Sequence, residues 1–389
     1  MSLDIKKMIG ESFLDIANAM ETGTFGKKIC VGITTIGSEH GIENIVRGAE
    51  KASLSGNFDV VLIGPKVETT LKIVEANTEE EAHEKMEELI DSKEINSAVT
   101  MHYSFPIGTS TIGRVVTPAF GNDMLLGTTT GTSATNRTEA MFKNALYGIA
   151  TAKAVGITNP SLGILNVDSS RAVERSLRKL ANNGYTINFG ESKRADGGTI
   201  MRGNDLLMGS SDVMVTDSLT GNILMKMFSS FSTGGSYEAT GYGYGPGVSF
   251  DMKRTILILS RASGVPVVEG AIKYAALLGK NDLAAIVSKE YEMIKKAGYE
   301  DILASFIEIP KKPIKEFIKP KKEVVTAQIS GIDIMDLDDA ALELMRSGIY
   351  AEAGMGCTGP IILVNDTKIE KAIVILEEKE YIVVEKTNC

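Results

Sequence analysis

In the stretch "VTDSLTGNILMKM" (residues 215–227) a short apolar run ends in an aspartate, and Gly221, Asn222 and Lys226 follow at helical spacing. Asp217 falls at the C-terminal end of the predicted strand, the edge at which open α/β sheets bind ligands. Gly221 permits close backbone approach. Asn222 either caps the helix or holds a ligand, and Lys226 lies one turn further on the same face. The plainer reading makes Asp217 a turn residue, Asn222 an N-cap and Lys226 a solvated lysine.

A second stretch, "GTTTGTSATNRTEA" (residues 127–140), follows a short apolar run and opens a helix. A strand, a Gly/Thr/Ser loop and a helix N-terminus together present backbone N–H groups to an anion. On that basis Gly127, Thr128, Thr129, Thr130, Gly131, Thr132, Ser133, Asn136 and Arg137 are expected to contact phosphate, with Arg137 supplying a fixed positive fork. The stretch is neither a P-loop nor a dinucleotide fingerprint. The alternative is a polar turn ahead of a well-capped helix.

A third stretch, "IYAEAGMGCTGPIIL" (residues 349–363), sets Cys357 between glycines. Gly356 and Gly359 leave its sulfur open, and nearby N–H groups can stabilise a thiolate. No cation adjoins it in sequence, and a small buried cysteine at a tight turn is the competing reading. Cys30 reads as mid-strand core and Cys389 is terminal. His40, in "GSEHG", reads as a helix-start residue rather than an acid–base catalyst.

These residues need a scaffold. Strand-like runs "KKICVGITT", "FDVVLIGP", "INSAVTMHY", "SLGILNVD" and "DVMVTD" alternate with helical stretches. The helix at 78–92 opens with Thr78 and Glu81 in a capping-box pattern, and the helix at 170–184 ends on Gly184 as a stop. Such alternation predicts a parallel sheet with helices on both faces. Residues 229–248, rich in glycine and tyrosine, read as a loop able to close over a site. A Pro- and Lys-rich run at 309–323 reads as a linker. Residues 1–26 read as an N-terminal helix, 27–308 as the main domain and 324–389 as a small α-β-α-β module.

The totals restrict the function. The chain has 389 residues, a net charge of −9, 43% apolar residues, 39 glycines and three cysteines. The acidic balance argues against a nucleic-acid surface. No stretch approaches the ~20 apolar residues of a membrane span. Three scattered cysteines make no disulfide framework, and His40, His83 and His102 lack ligand spacing, so no metal is expected. The start of the chain carries Asp4, Glu11 and Asp15, which argues against a signal peptide and for a cytoplasmic location.

Taken in order, "GSEHGIENIVRGAEKA", "FDVVLIGP", "SLGILNVDSS", "GSSDVMVTDSLTGNILMK" and "SGVPVVEGAIKYA" resemble the PlsX-type phosphate acyltransferases over about residues 27–304. Asp217, Gly221, Asn222 and Lys226 all fall on that family's pattern. The resemblance implies a three-layer, doubly wound, mostly parallel α/β sheet related to phosphotransacetylase, here with a small C-terminal α/β module. It implies conversion of an acyl thioester and phosphate to an acyl phosphate and a thiol, without a cofactor. Three segments depart from the pattern. The family's lysine segment is "DSSRAVER", where Arg171 or Arg175 is the available cation, its histidine segment is "ASGVPV", with Ser263 near the histidine position, and its "DxGAN" segment is "GTTTGTSATN".

With the C-terminal "GMGCTGPI" module included, the whole chain is similar to the component C alpha subunits of glycine/sarcosine/betaine reductase complexes. That resemblance implies a ketoacyl-synthase-like component C beta subunit and a selenoprotein component as partners, an acetyl thioester as donor and acetyl phosphate as product. Cys357 becomes a thiol in the relay, and a homodimer through residues 249–279 is expected. Asn222 and backbone amides are expected to support the oxyanion, Lys226 and Arg137 to neutralise phosphate, and Asp217 to orient them or accept a proton. The alternatives are a stand-alone acyl-carrier-protein:phosphate acyltransferase, a non-catalytic organising subunit and a nucleotide-dependent oxidoreductase.

Overall fold

The computed structural model describes residues 28–194, 197–306, 317, 319–333, 336–356 and 359–382, with isolated positions ahead of residue 28. The expected helix over 1–26 and linker over 309–323 lie largely outside the described residues, as do Cys357 and Cys389.

The β-branched runs assemble into a twelve-stranded sheet. One parallel block runs β3 (Lys72–Glu75), β2 (Asp59–Gly64), β1 (Cys30–Thr34), β4 (Ser97–Thr100) and β12 (Ile256–Ile258). A second runs β6 (Asp123–Thr132), β10 (Val213–Val215), β7 (Ser161–Leu165) and β8 (Asn188–Phe189), with β9 (Ile200–Met201) also on β7. Between them lie β11 (Gly245–Val248) and β5 (Thr109–Val116), each antiparallel to both neighbours. Three antiparallel steps reverse the strand sense, so the two parallel blocks point in opposite directions. The C-terminal ends of β6, β10 and β7 therefore open on one edge, and those of β1, β4 and β12 on the other.

Helices cover both faces, which is why these strands read as continuous apolar runs rather than alternating ones. In β1 and β2, Val31, Ile33, Val60, Leu62 and Ile63 are all buried. Cys30 only begins β1 and is half-buried, not mid-strand core. The helix Arg137–Ala154 lies on β6 and β10 and buries Met141, Phe142, Ala145, Leu146 and Ile149. Each such aliphatic or aromatic side chain contributes about 1.5–3 kcal/mol on full burial. The helix Val265–Lys280 packs on the helix Ile42–Ser55 and on β4, burying Val267, Val268, Ala271, Ile272 and Tyr274. The span 249–279, expected to face a second copy, thus spends much of its apolar surface inside the subunit.

The C-terminal residues make a separate three-stranded antiparallel sheet in the order β13 (Ala327–Ser330), β15 (Gly359–Val364), β14 (Ala351–Gly356). With helices Leu337–Arg346 and Ile369–Glu378 it encloses its own core, including Ile329, Leu344, Ile362, Val364 and Leu376. The observed order is β-α-β-β-α rather than α-β-α-β. The strand at 351–356, "AEAGMG", escapes a sequence reading because small residues carry no alternating apolar signal. Arg175, on the helix Ser170–Asn182, ties this module to the main sheet through the Asp336 carboxylate and the Tyr381 carbonyl, and Lys179 pairs with Glu380. Among the described residues no helix is long and apolar enough to cross a membrane.

Candidate active site

Residues 127–132, read from sequence as a loop, are the second half of β6. The hydroxyls of Thr128 and Thr129, and that of Ser133 just past the strand, are committed to the chain. Thr128 Oγ1 lies 2.6 Å from the Thr111 carbonyl and 2.8 Å from that of Thr130. Thr129 Oγ1 donates to the Tyr244 carbonyl at 2.7 Å and shares a hydrogen with Thr111 Oγ1. Ser133 Oγ reaches the Ala140 carbonyl and Asn144 Oδ1. Thr128, Thr129 and Ser133 are buried, as polar groups with satisfied bonds can be. Threonine is β-branched and suits a covered strand, so the Gly/Thr run is a strand with polar staples. Asn136 caps the helix Arg137–Ala154, its side chain accepting from Glu139 N at 3.0 Å. Of the expected phosphate contacts, Thr130, Gly131, Thr132, Asn136 and Arg137 stay partly or wholly exposed.

Arg137 stands on the edge where β7 and β10 end. Its Nη1 lies 3.2 Å from Asp168 Oδ2 and its Nη2 3.0 Å from Asp217 Oδ2. Two of its five N–H donors are used and the guanidinium remains half-exposed. Asp217 follows β10 and is itself the N-cap of the helix Ser218–Ser230, accepting from Thr220 N at 3.1 Å and Thr220 Oγ1 at 2.7 Å. Burial pushes its carboxyl up, but the two Thr220 bonds and the Arg137 charge outweigh this and hold it below the ordinary aspartate value. Asp217 therefore stays ionised to a lower pH than an ordinary aspartate.

The helix Ser218–Ser230 begins earlier than expected, so Asn222 lies within it rather than capping it. Asn222 donates one amide hydrogen to the Thr129 carbonyl at 3.0 Å, and its second hydrogen has no acceptor among the described residues. Gly221 faces β6 so closely that a Cβ would stand 1.7 Å from the Thr128 carbonyl oxygen. The close approach expected of this glycine is made by the protein's own strand. Leu219, Ile223 and Met227 point outward and are exposed.

Lys226 lies nine residues beyond Asp217, about 13 Å along the axis at 1.5 Å per residue. Its side chain is 55% exposed, and its Nζ stands 3.3 Å from Glu238 Oε1. Glu238 comes from the long Gly/Tyr-rich segment, which is not a free flap. That segment starts as the end of a helix, makes a 3-10 turn at Phe231–Thr233, and buries Glu238 and Tyr244. Glu238 Oε2 accepts from Ser263 Oγ at 3.2 Å. His40 sits beside the same loop, with Nε2 3.2 Å from the Ala262 carbonyl. Asn222 thus lies between an Arg137–Asp217 station and a Lys226–Glu238 station on one helix.

A family model described as fatty acid synthesis protein matches residues 29–363. The chain is 63% identical over 378 residues, 96% of its length and 98% of the relative's, to the glycine/sarcosine/betaine reductase complex component C subunit alpha of Peptoclostridium acidaminophilum. The chain belongs to this component C alpha-subunit family, within the fatty acid synthesis proteins. It is also 27% identical over 246 residues to a phosphate acyltransferase of Crocosphaera subtropica, covering 52% of this chain and 68% of the relative. A branched-chain phosphotransacylase from Enterococcus faecalis V583 aligns over 64% of the chain and 99% of its own length at 17% identity and a TM-score of 0.46.

As a member of the component C alpha-subunit family, the chain has PlsX-like phosphate acyltransferases as its wider relatives. Neither arginine expected to replace the family's lysine faces the site freely. Arg171 pairs with Glu174 on its own helix, and Arg175 docks the C-terminal module. Ser263 is fully buried and spent on Glu238. Sequence reasoning passed over Asp168 and Glu238. Asp168 carried a signal, since "ILNVD" ends a strand in an acid as "VMVTD" does. Glu238 carried only its charge in an otherwise uncharged loop.

Proposed function

We propose that this chain is the phosphate-handling acyltransferase subunit of a glycine, sarcosine or betaine reductase complex, acting with a component C beta subunit downstream of a selenoprotein component. The observation that carries this reading is one helix face. Asn222 and Lys226 stand one turn apart at the open side of a helix seated on β6 at Gly221, with a spare amide hydrogen and a half-exposed ammonium.

The reaction is phosphorolysis of an acetyl thioester. A phosphate oxygen bonds to the acetyl carbon, the C–S bond breaks, and the departing thiolate takes the proton that hydrogen phosphate gives up. The outward donors of Arg137 and the Lys226 ammonium neutralise phosphate. Asn222 and adjacent backbone amides take the charge that forms on the carbonyl oxygen, where fixed donors act most strongly. Asp217 and Asp168 aim Arg137. A two-carbon acyl group requires no long tunnel.

Cys357, which lies outside the described residues, is assigned the thiol that presents the acetyl group. Gly356 and Gly359 on either side of it pair across β14 and β15. Their module is anchored at Arg175, five residues into the helix that starts two residues after Asp168. A homodimer is part of the proposal.

The test is acetyl phosphate formation, or arsenate-dependent hydrolysis of an acetyl thioester, with the beta subunit present. Loss of turnover in Lys226→Ala and Cys357→Ser supports the scheme. Full turnover in Lys226→Ala removes Lys226 from it. Activity on long-chain acyl carriers without a beta subunit would replace it with the stand-alone reading.

A further inference from the structure

We propose that Glu238 is a positioning residue that fixes the Lys226 ammonium at the mouth of the phosphate site; this rests on the acyltransferase reading above. Glu238 is 2% exposed, although it sits in a loop. A buried carboxylate is tolerated when both oxygens are matched, and here they are matched from two directions. Oε1 faces Lys226 Nζ at 3.3 Å, from the helix Ser218–Ser230. Oε2 accepts from Ser263 Oγ at 3.2 Å, from the loop beyond β12.

The backbone from which this carboxylate projects is itself held on both sides. Glu238 N donates to the Ala262 carbonyl at 2.9 Å, and Gly264 N donates to the Glu238 carbonyl at 2.8 Å. That second bond lies at the start of the buried helix Val265–Lys280. The Glu238 backbone is therefore fixed to the segment that leads into that helix.

Lys226 is the mobile partner. A lysine carries three donors on a flexible four-carbon stem. One donor faces the buried carboxylate, and the Tyr244 ring centroid lies 5.8 Å from Nζ. The other donors face out, since the side chain is 55% exposed. An untethered lysine at that exposure samples many rotamers and must be ordered by each incoming anion. Glu238 does this ordering in advance. It also places a negative charge behind the ammonium, which weakens attraction for a dianion. The expected signature of positioning is thus a loss in kcat without a rise in KM for phosphate.

The experiment compares wild type, Glu238→Gln and Glu238→Asp, in the full chain with its partner subunit. Glu238→Gln is expected to lower kcat about 10-fold or more while KM for phosphate stays level or falls. In a Lys226→Ala background the same change should have no further effect, as expected for residues acting as a unit. A readout independent of turnover is labelling of Lys226 by an amine-acylating reagent at about pH 8, mapped by peptide mass. Labelling should rise about 5-fold or more in Glu238→Gln. Glu238→Asp keeps the charge but loses reach, and serves in the labelling measurement should Glu238→Gln not fold. Wild-type labelling of Lys226 in the folded variant overturns the inference, as does an unchanged kcat. A wild-type protein that makes no acetyl phosphate defeats the acyltransferase reading instead, and labelling still decides whether Glu238 holds Lys226.

Discussion

Arg137 Nη2 and Asp217 Oδ2 lie 3.0 Å apart although eighty residues separate them, and the bond joins the start of one helix to the cap of another. With Asp168 on Nη1, two carboxylates from the ends of adjacent parallel strands hold one guanidinium flat at the sheet edge.

Replacing Arg137 should therefore separate activity from stability. Arg137→Ala is expected to lower kcat/KM for phosphate about 10²-fold, the scale seen when a charge-stabilising donor is removed. Arg137→Lys should restore little, because an ammonium cannot serve two carboxylates in a plane and still face outward. Chemical denaturation should show a change within about 1 kcal/mol, since half-exposed ion pairs contribute that much or less.

The Asp217 carboxyl sits below its ordinary value of 3.8. A group depressed in the fold stabilises it at every pH above the unfolded value, and that contribution disappears as pH falls through the folded one. Asp217→Asn keeps an equally good N-cap side chain but removes the charge and one of the two acceptor oxygens, so the bonds from Thr220 Oγ1 and Arg137 Nη2 are lost with it. The variant should be less stable than wild type near pH 7, with the gap closing below pH 3.8 in urea melts at each pH.

Gly221→Ala places a methyl group 1.7 Å from the Thr128 carbonyl oxygen, a backbone atom within β6. Relief requires the helix to lift off the strand, with an expected loss of about 2–3 kcal/mol. Thermal unfolding should register this even before activity is assayed.

Arg175→Ala should loosen the C-terminal module without unfolding either core. The side chain is mostly buried between the module and the main sheet, and losing its charged hydrogen bonds costs about 2 kcal/mol. Amide exchange across Ala327–Ser330 should quicken while β1 and β10 stay protected. If Cys357 serves the reaction, acetyl phosphate formation should fall in parallel.

What the sequence disclosed was local in character. Thr78 caps the helix Glu79–Asp91 by accepting from Glu81 N, as its three-residue spacing predicts. Gly184, at φ +104°, stands just past the helix Ser170–Asn182, where only a residue free of a Cβ is comfortable. The strand–helix alternation and Asp217 at a strand end were legible for the same reason: periodicity and capping act over a few residues. What stayed hidden depends on distant partners. The Gly127–Thr132 run looks like a loop until Thr111 and Tyr244 supply bonds for its hydroxyls. Glu238 gains its meaning from Lys226 and Ser263, and Arg175 from Asp336. Reversal of the second parallel block follows from β5 and β11, whose pairing no short window of residues encodes.

Gly221 has one more implication. A helix with no gap above its strand can neither slide nor tilt, so the heights of Asn222 and Lys226 above the sheet are inherited from β6 rather than tuned from within the helix. Substitution within this helix is then best tolerated on the outer register of Leu219, Ile223 and Met227, where a new side chain disturbs nothing beneath it.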